Sequence, residues 1–175
     1  MSIRIAFVGK AGRGKTTAAD HLIKERGFVR VSFAAKLKEI AKDLWPKEFE
    51  SGVKPRKLLQ DFGTKVREID DTTWVDYAMR QVQANPNLNY VVDDLRYLNE
   101  ARALKRNHFV IVRIQGPSRI AMPPGTEKHA SEVEQDEIEA DYTVANDNGI
   151  DAFNAKVDKL LEKIRRDADE QKNGG

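Results

Sequence analysis

Between residues 9 and 16 the chain reads GKAGRGKT, three glycines followed by a lysine and a hydroxyl residue. The spacing G-x-x-x-x-G-K-[ST] suits phosphate chemistry. Glycines let the backbone curl so that successive N–H groups point at phosphate oxygens, and a helix start adds the positive end of its dipole. Lys15 can reach between β- and γ-phosphates, and the Thr16 hydroxyl suits Mg²⁺. Gly9, Ala11, Gly12, Gly14, Lys15, Thr16 and Thr17 are therefore expected to hold ATP. Arg13 reads as a solvated loop residue that can add positive charge nearby. A merely structural glycine turn is disfavoured, because an apolar run (IRIAFV, 3–8) precedes the loop and a helix pattern (15–25) follows it.

Nucleotide binding alone leaves three classes open. A switch GTPase would carry Asp-x-x-Gly after its metal-side strand and Asn-Lys-x-Asp late in the chain, where this sequence has DDLR and ANDN. A motor would show a catalytic glutamate beside the second aspartate, and VVDDLR offers none. A small-molecule kinase is the expected class.

A kinase needs cations for its acceptor. On a helix over 56–69, Arg56, Gln60, Gly63 and Arg67 fall within about 60° of one another, apart from the arc of Leu58, Leu59, Phe62, Val66 and Ile69. The polar stripe reads either as an acceptor face, with Gly63 admitting a ligand to the backbone, or as a solvated face with an incidental glycine. Asp93 and Asp94 end an apolar strand on the sheet edge where α/β proteins bind ligands. Asp94 could hold Mg²⁺ or cap the next helix, and Arg96 could grip an acceptor phosphate. Residues 115–128, rich in Gly, Pro and charge, suggest a short lid over about 115–132. Arg113 before it or Arg119 within it could close on the transferred phosphate. His129, Ser131 and Glu132 suit lid positioning or capping. Trp45 and Trp74 are expected in the core.

These residues need a scaffold, and the periodicity supplies one. Strands are expected at 3–8, 28–34, 90–94, 109–114 and 141–147, and helices at 15–25, 35–45, 56–69, 73–84, 97–106 and 149–166. Alternation of the two predicts a three-layer α/β/α domain with a five-stranded parallel sheet. One domain over 1–168 is expected, with an acceptor region at about 35–85 and a flexible tail at 169–175. The 30 basic and 28 acidic residues leave a net charge of +2, which gives no global field for nucleic acid. Cysteine is absent, and no apolar run suits a leader or a membrane span. A cytoplasmic protein with neither nucleic-acid nor membrane partners is expected.

The segments GKAGRGKTTAADHL, VSFAAKLKEIA, LLQDFGTKVREI, VVDDLRYLNEA, HASE and VANDNGIDAF, in this order, resemble the bacteriophage-type deoxynucleoside monophosphate kinases of the P-loop nucleoside monophosphate kinase fold. The resemblance implies ATP as donor, Mg²⁺ held by Thr16 and Asp94, and a deoxynucleoside monophosphate as acceptor. It implies acceptor contacts from Phe33, Lys36, Gln60, Gly63, Thr64 and Arg67, and from Asp94, Arg96, Glu100 and Glu132. Lys15, Arg67, Arg96 and one of Arg113 and Arg119 would act on the transferred phosphate. Asn146 and Asp147 would meet the adenine through their backbone. Oligomeric state stays open, with a homodimer among the options because related kinases include dimers. If phage-encoded, the protein would work in the host cytoplasm. Animal-type phosphomevalonate kinases share a related Asp-x-Arg segment and are the enzymatic alternative, and a non-catalytic ATP-sensing module is the alternative from another class.

Overall fold

Strand β1 (Arg4–Val8) is apolar on both faces, as a central parallel strand must be when helices cover both sides. In the computed structural model it is flanked by β3 (Tyr90–Val92) and β4 (Val110–Gln115), with Ile5 opposite both Val91 and Val110. Beyond them lie β2 (Val29–Arg30) and β5 (Tyr142–Ala145), so the wholly parallel sheet has the order β2-β3-β1-β4-β5. The structure describes residues 2–120 and 130–173, with side chains at 2–120 and 133–170. The expected lid positions 121–129, His129 among them, and the side chains of Ser131 and Glu132 lie outside the described residues.

The chain packs into two compact units, Met1–Arg30 with Asn87–Gly175, and Val31–Pro86. In the first, the sheet carries helices on both faces. Ile5, Phe7, Val91, Val112, Ile114 and Val144 pack against Ala18, Ala19 and Leu22 of α1 (Lys15–Arg26) and against Phe153, Val157, Leu161 and Ile164 of α7 (Gly149–Asn173). The alternate residues Ala6, Val8, Val92 and Ile111 are buried too, and α5 (Leu98–Arg106) packs on β4 with Ala101 and Leu104 buried. Burying each large apolar side chain contributes about 1.5–3 kcal/mol. Among the described residues, the remaining helix of this unit is α6 (Ala130–Glu137).

The second unit is helical: α2 (Ala34–Leu44), α3 (Arg56–Ile69) and α4 (Thr73–Ala84) enclose Leu37, Ala41, Leu59 and Trp74. Phe62 joins Trp45 and Trp74 edge to face, at centroid distances of 5.5 and 6.1 Å.

Four local expectations are corrected. The second strand spans two residues rather than 28–34, because the chain turns at Ser32 and Phe33 into α2. Trp45 is 38% exposed, at the edge of the helical cluster against Phe62, because Pro46 ends the helix there. Ile69 is 87% exposed at the last residue of α3, so it does not belong to the apolar arc. The final helix continues past 166 to Asn173. Its extra turns are tied down: the Tyr142 hydroxyl donates to the Asp167 carboxylate, which pushes the phenol's pKa up to about 12, and Lys163 lies 5.3 Å from the Tyr142 ring centre.

Candidate active site

The turn between β1 and α1 is built as a phosphate cradle. Gly9, Gly12 and Gly14 all adopt positive φ. Gly14, at φ 103°, has no room for a side chain: a Cβ would run into the Asn146 amide and lie 3.3 Å from Phe153 Cε1. Lys15 opens α1 with only 8% of its surface exposed, and its ammonium donates to the Gly9 carbonyl and, at 3.0 Å, to the Lys10 carbonyl. Thr16 is exposed one residue on. Arg13 Nε is buried without a hydrogen-bond partner, so this loop arginine is less solvated than expected. A cradle of positive-φ glycines and a buried ammonium together fit a polyphosphate.

Residues 116–120, which follow β4, are stitched to that cradle. Ser118 Oγ donates to Ala11 O at 3.1 Å, and Arg119 N donates to Gly12 O at 3.1 Å. At the end of β5, Asn146 is 2% exposed and braces both sides. Its Nδ2 donates to Arg13 O at 2.9 Å, and its Oδ1 accepts from Arg119 Nη2 at 3.0 Å. Its backbone N–H donates to Gln115 O at 2.7 Å within the sheet. Asp147 pairs with Lys156, which holds its carboxyl below the usual range.

Arg113 and Arg119 are now distinguished. Arg113 Nη2 donates to Gln135 O at 3.2 Å and Ile138 O at 2.5 Å, closing the C-terminal end of α6, where a cation satisfies the last carbonyls. Arg113 is therefore corrected from a catalytic expectation to a structural one. Arg119 stays beside the phosphate loop.

The end of β3 follows the same edge. Asp93 pairs with Arg30 at 3.6 Å, and Arg30 also holds Asp20 at 2.5 Å. Asp94 is not the cap of the next helix, because α5 begins at Leu98 with Tyr97 in the capping position. Glu100, expected at the acceptor, is 2% exposed and accepts from the backbone N–H groups of Arg96 at 2.9 Å and Tyr97 at 3.1 Å. Orphan N–H groups at a helix start demand such an acceptor, so Glu100 holds the Arg96 peptide in place. The sequence hid this, since a tyrosine stands where Ser, Thr, Asp or Asn usually announces the cap. Glu134 was also missed: from α6 its carboxylate accepts from Leu98 N at 3.1 Å.

In the helical unit, Gln60, Thr64 and Arg67 share the polar side of α3, as their spacing requires. Gly63 is buried, and a Cβ there would meet Leu37 Cδ1 at 2.7 Å and Arg67 Nη1 at 3.2 Å, the far ends of two flexible side chains. Phe33 is buried, and Lys36 pairs with Glu39 at 2.5 Å.

No family model matches the chain. A protein of Acanthamoeba polyphaga mimivirus, provisionally named a deoxynucleotide monophosphate kinase, is 29% identical over 89% of this chain and 94% of its own length. An uncharacterised protein, ORF77 of Ictalurid herpesvirus 1 (strain Auburn), is 31% identical over 90% of this chain and 69% of its own. The solved dephospho-CoA kinase of Campylobacter jejuni superposes with a TM-score of 0.51 at 17% identity, covering 92% of this chain and 97% of that one, which speaks for the fold. Among the described residues no helix is long and apolar enough to cross a membrane. The chain belongs to one family with ORF77, and its complete phosphate cradle on a five-stranded parallel sheet is that of a phosphotransferase with the P-loop kinase fold.

Proposed function

We propose that the protein transfers the terminal phosphoryl group of ATP to the phosphate of a deoxynucleoside monophosphate, giving a deoxynucleoside diphosphate, in the cytoplasm of the cell that makes it. The observation that carries the reading is the complete loop with its buried Lys15 in a chain similar to a protein named for that activity. Lys15 and the loop N–H groups bind and orient the triphosphate, and Arg119 adds positive charge beside them. Gln60, Thr64 and Arg67 from α3 take the acceptor nucleotide. Arg96, after β3, acts on the transferred phosphate. A phosphate acceptor is already largely ionised near neutral pH, so no strong general base is required. Thr16 and Asp94 fit Mg²⁺, which needs only one or two protein oxygens beside phosphate and water and, when bound, neutralises charge on the phosphates.

The direct test supplies ATP·Mg²⁺ with each nucleoside monophosphate, deoxy and ribo, and with phosphomevalonate, and separates the products by chromatography. A deoxynucleoside diphosphate formed together with ADP is expected. Diphosphomevalonate as the product, or ADP with no phosphorylated acceptor, would sink the reading.

Two variants separate the donor and acceptor sides. Arg67→Ala removes a charge-assisted contact of about 1.5–3 kcal/mol, so kcat/KM for the acceptor should fall roughly 10–100-fold while KM for ATP stays put. Unchanged acceptor kinetics would return the α3 stripe to a solvated face. Asn146→Ala removes the hydrogen bonds to Arg13 O and Arg119 Nη2, and KM for ATP should rise about tenfold as the loop loosens. A higher acceptor KM at constant ATP affinity would show that Asn146 does not act through the loop.

A further inference from the structure

The parallel strands place the phosphate loop at their C-terminal ends. A cavity of about 870 Å³ lies at the opposite edge, where β1, β4 and β5 begin. Its size falls in the range of small-molecule sites, roughly 300–1,000 Å³. One wall is the end of α7, including Arg165, Ala168 and Asp169. These turns are held to the start of β5 by the Tyr142–Asp167 hydrogen bond and by Lys163 over the Tyr142 ring, so the wall is part of the fold.

The lining has a sign. Arg4, Lys105 and Arg165 face it against Asp141 and Asp169, which leaves one positive charge, and the His108 imidazole lies among them. Asp141 is already committed: it pairs with Lys105, and its second oxygen accepts from Ile111 N at 2.7 Å. Arg165 is exposed and has no ion-pair or hydrogen-bond partner among the described residues. Ile3, Phe109 and Ile164 supply an apolar floor.

His108 provides a separate observation. Helix α5 ends with His108 N donating to Lys105 O and Phe109 N to Leu104 O, both at 3.0 Å. That ending puts His108 at φ 60°, and among the described residues no other non-glycine has positive φ. Glycine is the ordinary residue at such a helix ending because it carries no Cβ penalty. Here an imidazole occupies the position on the cavity lining, a strained placement of the sort that gathers at ligand sites.

We propose that this cavity is a second ligand site, remote from the phosphate loop, for a small organic anion. A phosphate monoester or carboxylate would lie toward Arg165, Arg4 and His108, with its apolar or planar body on Phe109 and Ile164. The assignment concerns binding and stands whether or not the proposed substrate is correct.

The test follows the His108 ring resonances by NMR in the full-length protein during titration with phenyl phosphate, benzoate and inorganic phosphate. His21, on α1, serves as the control. Phenyl phosphate or benzoate should shift His108 saturably and bind at least tenfold more tightly than inorganic phosphate. Arg165→Glu should weaken that binding tenfold or more, and Ala168→Phe, which fills the cavity and leaves its cations, should abolish it. Arg165 lies on an exposed helix face outside the proposed catalytic machinery, so turnover of the Glu variant should match that of the parent. Shifts that never saturate, equal affinity for inorganic phosphate, or affinity retained in both variants would overturn the site.

Discussion

Replacing Lys15 with alanine should lower kcat by about 10²–10³-fold, the usual cost of removing one preorganised charge from a transferring phosphoryl group. The loss arises because the ammonium is in place before any nucleotide arrives. It opens α1 at 8% exposure and is directed by the carbonyls of Gly9 and Lys10 toward the loop it serves. Water cannot substitute for it in a cradle of backbone N–H groups without reorganising at the moment of transfer. The fold should survive, because the lysine's bonds to the Gly9 and Lys10 carbonyls lie within its own loop and alanine is the best helix former for the first turn of α1. Steady-state rates and a thermal melt together check this. Retained turnover would remove the loop from the chemistry, and a collapsed melting temperature would make Lys15 a folding residue.

Replacing Phe153 with alanine should have the largest effect on stability, about 3–5 kcal/mol. Its ring is 1% exposed at the start of α7, within the cluster that joins α1, α7 and one face of the sheet. The same ring stands beside Gly14, so the cavity left by alanine would open directly behind the phosphate loop. A fall in melting temperature of about 10 °C is expected for a chain of this size. ATP affinity measured well below the melt should also drop, since a loop packed against a void loses its fixed geometry. Destabilisation with unchanged ATP affinity would show that Phe153 supports the core without supporting the loop.

Much of the architecture was legible because its signals are local. The loop's glycines, the apolar strand before it and the 3.6-residue periodicity of 56–69 and 73–84 are properties of neighbouring residues, and both helices fall at those bounds. Local signals fail where termination is not written in the chain. Residues 167–173 look like a polar tail, yet they stay helical because nothing stops α7 and Tyr142, from a distant strand, holds Asp167.

The sequence by itself determined the phosphate cradle and the alternation of strands and helices, since each depends on backbone freedom and side-chain spacing within a few residues. Only the tertiary structure decided the duties of individual polar side chains. Arg113 and Arg119 are equivalent in sequence, but one closes α6 and the other reaches Asn146 beside the loop. Glu100 looks like a ligand contact and serves backbone amides. Asn146 meets Arg13 across 133 positions of chain. A polar group's partner is set by what the sheet order brings within about 3 Å, and that proximity has no signature in the residues on either side.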